Sequence, residues 1–462
     1  MANPVAGAPR PARGALHTFV SSFSRWSVRW VPDAMVFVLA LTVLVFFMAW
    51  GLTKHGPLQL IDDWVKGFWV LLTFAMQMCV LMITGFTVAD SKYVRTIIHK
   101  LIDIPKTRRA TILMYFTFIS ILWYLHWGIG MMVSIIMGRQ LVVRKRGLGI
   151  DYIFVAAISY CGIVLANGPS MAAQLLLATP GHFMEKVTGV IPISLTTFDP
   201  ALLLTNLIML VTAPFIMLAV APAKDHAVEI SPELAKEFAP QESLPAKDAA
   251  RTPAERWDRS PLLPVLIAVF GVFWFGRFIA AKGIGSLDLN TLNFIFFMLG
   301  LLLHGSANSF MASVQRGVAT VGGVIVQFPL YAGIFGIISF SGLATIIADW
   351  FVSISTAYTF PFVVFLYSGF LNIFVPSGGS KFVIEAPYIL PAAKKLGASL
   401  PMTINAYTYG DLWTNLIQPF WALPILGAFK LRFQDILPYG LIMLIWAGAV
   451  ITFGLLVLPA VM

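Results

Sequence analysis

Charge is what this sequence has least of. Of its 462 residues, 11% are Asp, Glu, Lys or Arg, under half the roughly 25% of a soluble globular chain. With 58% hydrophobic residues and a mean hydropathy of +0.84, polar groups are too few to cover a surface facing water alone. That excludes a soluble enzyme, a disordered chain and a secreted disulfide scaffold. Cysteine is scarce as well. Cys79 and Cys161 both lie in apolar runs, so there is neither a cysteine-rich metal site nor a disulfide framework. The G-x-S-x-G elbow, the phosphate-binding glycine loop ending in Gly-Lys-Ser/Thr and the H-E-x-x-H zinc signature are all missing. Their absence counts against an ATP-driven pump and against an enzyme acting on lipid.

The net charge of +10 would suggest nucleic acid as a partner in a soluble protein. Here its placement argues otherwise, and no nucleic-acid partner is expected. By count, 20 of the 31 Lys and Arg lie in residues 1–33, 90–109, 139–147 and 222–260, between apolar runs. That is the positive-inside pattern of a protein crossing the lipid bilayer many times. Spans of about 20 apolar residues are expected at 34–52, 67–89, 201–221, 261–279, 289–303, 318–340 and 437–458. Longer apolar stretches with internal breaks lie at 110–138, 151–179, 357–393 and 401–429. Segment 1–33 has no signal-peptide core, and Arg10, Arg13, Arg25 and Arg29 against Asp33 place it in the cytoplasm. The loop with Lys54, Asp62, Asp63 and Lys66 is then outside, and the loop 90–109 is inside again.

The stretch 110–138 has basic clusters at both ends and a breaking centre, His126-Trp127-Gly128-Ile129-Gly130. Both clusters stay inside only if it is a re-entrant hairpin, which needs protein or a water-filled cavity around its tip. Segment 222–260 carries six basic and eight acidic residues and five prolines, and reads as a solvated, partly disordered cytoplasmic linker. The halves on either side match at nearly constant offsets: Gln77 with Gln327, Thr96–Ile98 with Thr345–Ile347, Arg144–Gly147 with Lys394–Gly397, Gly162 and Asn167 with Gly410 and Asn415. The first tip then falls opposite Asn372–Ser380, in a second hairpin at 357–393. Counting spans, repeat one (67–221) enters from outside and repeat two (318–462) from inside. The expected fold class is an all-α polytopic membrane protein. It has two inverted-topology repeats, re-entrant hairpins and broken helices, the layout of secondary transporters. Segment 34–66 supplies a first scaffold span and outer loop, and 261–317 further scaffold spans.

Four interruptions converge in this arrangement: both tips, the break Asn167-Gly168-Pro169-Ser170, and the break Thr414–Pro419. Half-helix N-termini offer free N–H groups to anions. The run Pro376-Ser377-Gly378-Gly379-Ser380, opening a helix from Lys381, suits a carboxylate; the competing reading is a plain tight turn. Asn372, Asn167, Gly168, Ser170, Thr414 and Asn415 would complete the site. Ionisable residues within spans carry functional weight. Asp411 is either a proton carrier or a structural partner for a base. Lys381 and Glu385, spaced i,i+4, share one helix face. They are either a mutually neutralised pair, or a lysine meeting substrate beside a glutamate that carries a proton. His126 is either a proton or substrate site or a packing residue. Trp26, Trp30, Trp64 and Trp69 read as interfacial anchors.

Arg29-Trp30-Val31-Pro32-Asp33, Gly67-Phe68-Trp69, Phe374-Val375-Pro376-Ser377-Gly378-Gly379 and Gln418-Pro419-Phe420-Trp421-Ala422-Leu423-Pro424 together resemble the bacterial short-chain fatty acid transporter family, within the ion transporter superfamily. Ala178–Gly181 and Val326–Pro329 fit it too. The resemblance implies uptake of carboxylates such as butyrate or acetoacetate across the cytoplasmic (inner) membrane by a non-enzymatic, dimeric, elevator-type carrier. The sequence departs from the family pattern at His126, usually Asn, at Ser380, usually Gly, at Lys381, usually His or Gln, and at Glu385, usually Gln. The expected function is symport of a short carboxylate with H⁺ or Na⁺, with Asp411 and Glu385 as coupling residues and no other cofactor. The alternatives are another substrate on the same fold, such as a dicarboxylate, and a passive anion channel.

Overall fold

The computed structural model describes residues 34–238 and 252–461; the basic cluster of residues 1–33 and the middle of the linker lie outside the described residues. The described residues are helical, with no strand among them. In chain order the helices are α1 (Ala34–Leu52), α2 (Pro57–Phe68), α3 (Leu72–Asp90), α4 (Lys92–Asp103), α5 (Arg108–Leu125), α6 (Trp127–Arg144), α7 (Tyr152–Cys161), α8 (Ala172–Ala178) and α9 (Pro200–Ala219). The linker follows, then α10 (Leu262–Lys282), α11 (Leu289–His304), α12 (Ala307–Val318), α13 (Gly322–Phe340), α14 (Leu343–Ile354), α15 (Phe360–Asn372), α16 (Gly378–Leu396), α17 (Leu400–Asn415), α18 (Leu423–Phe429) and α19 (Phe433–Leu456). Six of the described helices are long and apolar enough to cross a membrane.

The order α2 to α9 recurs as α12 to α19. The first three members have the same lengths in both halves, 12, 19 and 12 residues. In each half two hairpin arms, a broken helix and a long helix follow. Four of these elements were expected as loop or as the start of a span. The amphipathic helices α2, α4, α12 and α14 begin where a cap or proline stands: Pro57 at the first turn, Ser91 accepting from the Val94 amide, Ser306 from the Ser309 amide, and Gly342 at φ +87°. The expected spans at 67–89 and 318–340 therefore start at Leu72 and Gly322. Gly67 belongs instead to α2, which crosses α13 at Gly336. A methyl group on Gly67 would lie 2.6 Å from the Gly336 Cα.

The hairpin expected at 110–138 is formed by α5 and α6. The Tyr115 hydroxyl donates to the Ser134 carbonyl (2.8 Å) across the arms, and Gly130 packs on the Trp123 backbone. Its turn is a single extended residue, His126 (φ −157°, ψ 108°). Gly128 and Gly130 lie inside α6 rather than in a loop. Two apolar cores result. One surrounds α5, α6, α7, α9 and α19, and the other joins α1, α3, α13 and α16.

The first part of the linker, expected as partly disordered, is docked on the helices over residues 228–238. The Val228 carbonyl accepts from the Tyr152 amide (2.8 Å), and Ile230, Leu234 and Phe238 are buried. The Glu229 carboxylate accepts from the Gly147 (2.9 Å) and Gly149 (2.6 Å) amides, and the Arg139 guanidinium stacks over Phe238 at 4.1 Å. Leu234 and Phe238 lie one turn apart on the helix Pro232–Phe238, an apolar spacing that composition averaging hides. Glu229→Ala removes charge-assisted bonds of about 1.5–3 kcal/mol each before solvent screening. It should raise trypsin cleavage at Lys224 and Lys236 by about tenfold through local opening, with the melting temperature of the membrane part unchanged. Unchanged cleavage would show that the docking does not depend on this carboxylate.

Candidate functional site

The second tip is the more open of the two. Ser377 is extended (φ −149°, ψ 101°), and α16 begins immediately after it at Gly378, three residues before the expected start. No side chain caps this helix. The Ser377 hydroxyl is spent on Ser380 Oγ (2.9 Å), so the first N–H groups keep the unsatisfied character of a helix start. The first tip is closed by comparison. His126 Nδ1 accepts from the Ile129 amide (3.4 Å), and Ser170 Oγ from the Trp127 amide (3.0 Å). Ser170 of the first break thus caps α6.

The breaks are held by buried amides. Asn372 Nδ2 donates to the Asp411 carbonyl (2.8 Å), Thr414 Oγ1 (3.0 Å) and Asn415 Oδ1 (2.9 Å), fixing the second tip on α17. Thr414 Oγ1 in turn donates to the Gly369 carbonyl (2.8 Å). In the first break, Asn167 Oδ1 accepts from Gln174 Nε2 (2.9 Å), and Gln174 Oε1 accepts from the Thr408 hydroxyl (3.2 Å). Gln174 therefore ties one broken helix to the other, and Gln418 Nε2 braces Asn415 (2.9 Å). Gln174 was not singled out from the sequence, and Gln418 only as part of a motif and a break. The available signal was an uncharged amide inside an apolar run, which must find a partner when buried.

A cavity of ≈ 80 Å³ lies where these parts meet, and one water needs about 10–15 Å³ by this measure. Ser377, Gly378 and Gly379 of the second tip, with Asp411 and Asn415, form its polar end. Its walls are Trp123, Trp127 and Met131 from the first hairpin, Met78 and Met82 from α3, and Val324 and Phe328 from α13. Met171 and Ala172 of the first break and Trp421 of the second close it. Trp123, Trp127 and Trp421 are thus cavity residues, whereas the exposed Trp69 keeps an anchor's position.

The remaining expected site residues stand behind this wall. Asn167, Ser170, Asn372, Thr414 and Ser380 are buried and engaged with neighbours in the bonds above. Gly168 is where the chain passes Tyr124, since a methyl group there would lie 2.0 Å from the Tyr124 carbonyl oxygen. His126 points away from the cavity. Its ring lies edge-on to Phe296 at 4.4 Å and against Gly85, where a residue with a side chain would collide.

Lys381 also faces inward. It is fully buried, and its ammonium donates to Ser368 Oγ (2.5 Å). The same nitrogen lies 3.3 Å from Glu385 Oε1, 3.6 Å from Asp411 Oδ1, and 4.1 Å from the Tyr407 ring centre. The i,i+4 pair is therefore part of a triad whose third member is on α17. Neither oxygen of Glu385 nor Asp411 Oδ1 has a hydrogen-bond partner. The other oxygen, Asp411 Oδ2, lies against the start of α16, 2.8 Å from where a side chain on Gly378 would begin.

Residues 15–458 match the family described as "Short chain fatty acid transporter". The chain belongs to that family. A relative from Escherichia coli (strain K12), named "Putative short-chain fatty acid transporter", is 35% identical over 434 residues, covering 94% of this chain and 97% of that protein. One of the same name from Haemophilus influenzae is 34% identical over 447 residues, covering 95% and 97%. Among solved structures, MtrF of Neisseria gonorrhoeae, described with a class of antimetabolite efflux pumps, shares the fold at TM-score 0.59 and 14% identity, covering 95% of this chain and 98% of that one. The YdaH transporter of Alcanivorax borkumensis does so at TM-score 0.60 and 14% identity, covering 91% and 98%. Family membership makes this a membrane transport protein, and six of its described helices are long and apolar enough to cross a membrane.

Proposed function

We propose that the protein is a secondary carrier of short monocarboxylates, coupled to protons and working across the cytoplasmic membrane. The observation that carries this reading is the two-ended cavity. Uncapped amides at Gly378 and Gly379 suit a carboxylate, and a wall of Met, Trp and Phe suits a short apolar tail. Methionine side chains adapt to shape, so several chain lengths fit. Protons are favoured over Na⁺ because two buried carboxylates share one ammonium. A dicarboxylate would bring a second charge against the apolar wall. The recurring order α2–α9 and α12–α19 supports inverted repeats, with the hairpins and broken helices as a moving body. The spans at 34–52, 261–279 and 289–303 would then supply part of a dimeric scaffold, and the N-terminus would be cytoplasmic.

The test is uptake into proteoliposomes across a panel of labelled carboxylates, with proton and sodium gradients imposed separately. Acetoacetate is the informative member, because a stronger acid leaks less through lipid in its neutral form. The expected result is concentrative uptake of C4 monocarboxylates under an inward proton gradient, with no sodium requirement. Absence of both uptake and counterflow for every carboxylate would overturn the reading. Flux that never exceeds equilibration would identify a channel.

A further inference from the structure

Building on the carboxylate-carrier reading, we infer that Asp411 is the coupling residue. It takes up one proton for each carboxylate that enters, and Lys381 and Glu385 hold the rest of the site neutral, so transport is an electroneutral one-to-one symport. Asp411 lies between the cavity and the triad. Its Oδ2 is at the start of α16, where an entering carboxylate would seek the free amides, and its Oδ1 faces Lys381. In the empty carrier Asp411 therefore occupies the position of the substrate's own carboxylate, where a helix N-terminus favours negative charge.

Charge balance then fixes the stoichiometry. Lys381 contributes one positive charge, and the two carboxylates contribute two negative charges if both ionise. All three groups are buried, where an unpaired charge is costly. Glu385 holds the resident proton because, among the described residues, Lys381 is the only cation it faces and both its oxygens are unbonded, whereas Asp411 faces Lys381 and also the start of α16. The titratable groups around it are Lys381 on its own helix, Tyr388 also on α16, Tyr367 on α15, and Tyr407 and Asp411 on α17. The empty site is then neutral, with Lys381 charged, Glu385 protonated and Asp411 ionised. A substrate carboxylate beside an ionised Asp411 would put two like charges in contact. Moving one proton from solution onto Asp411 as the anion enters makes the loaded site neutral again. Release of the anion on the other side returns that proton to solution.

The test compares driving forces in proteoliposomes, using acetoacetate with empty liposomes as the leak control. For the wild-type protein, a proton gradient of one pH unit should drive accumulation of about tenfold. A potassium–valinomycin potential of either sign should leave the rate unchanged. Asp411→Asn should lose accumulation yet retain acetoacetate counterflow, which also reports that the variant is folded. Glu385→Gln fixes the resident protonated state, so whatever flux it retains should still follow the proton gradient and not the membrane potential. Wild-type uptake that follows the membrane potential would overturn the inference, as would loss of coupling in Glu385→Gln with counterflow intact. Absence of counterflow in the wild type would instead sink the carrier reading on which the inference rests.

Discussion

Lys381→Met is expected to lower the stability of the folded protein by about 3–5 kcal/mol, the usual consequence of breaking a buried ion pair from one side. Adding Asp411→Asn should return most of it. Among the described residues the ammonium is the one cation in contact with both carboxylates, at 3.3 Å from Glu385 and 3.6 Å from Asp411, and methionine fills its volume without its charge. Asp411, the ionised carboxylate, is then left in a buried space without its cation. An asparagine at 411 removes that charge and supplies donors of its own. Thermal unfolding in detergent, followed by tryptophan fluorescence, gives the double-mutant cycle. Contacting groups should show a coupling energy above about 0.5 kcal/mol. Additive losses would mean that Lys381 is held by Ser368 and Tyr407 alone, and the triad would have no energetic standing.

The sequence reveals where the helices break more readily than where side chains point. Asn167–Ser170 and Thr414–Pro419 are legible because Gly, Pro and amides interrupt apolar runs, and both interruptions reach the cavity region. The i,i+4 spacing correctly puts Lys381 and Glu385 on one face of α16. Spacing within one helix says nothing about Asp411, which arrives from α17 through tertiary packing. His126 illustrates the reverse difficulty. A titratable residue at a hairpin tip invites a functional reading, but the missing side chain at Gly85 on a distant helix makes room for its ring. The helices α2, α4, α12 and α14 escaped notice because hydropathy windows long enough to find spans average away a 12-residue amphipathic pattern. Trp123, Trp127 and Trp421 become cavity walls only once the two hairpins and breaks are brought together, which position along the chain does not reveal.

Gly410→Leu should have a large effect although it lies outside the charged triad, and it should act by moving the second tip. α15 and α17 lie so close at this point that a Cβ on Gly410 would sit 2.3 Å from the Phe365 carbonyl oxygen and 2.8 Å from the Gly369 amide nitrogen. These are backbone atoms, which cannot rotate away. The two helices must separate, and overpacking of this kind costs about 1–3 kcal/mol and occasionally more. Separation would also pull Asn372 from the Asp411 carbonyl, Thr414 and Asn415, leaving buried amide groups unpaired at about 1–3 kcal/mol each. The expected outcome is a protein that either fails to elute as a single species in detergent or elutes with a much lower melting temperature and no carboxylate counterflow. The control is Gly276→Ala in α10, where nothing lies within 4 Å of the added methyl. Replacing a helix-interior glycine there should be neutral or stabilising by up to about 1 kcal/mol. Normal counterflow in Gly410→Leu would mean that the α15–α17 contact does not set the position of Ser377–Gly379, and the cavity would need another anchor for its polar end.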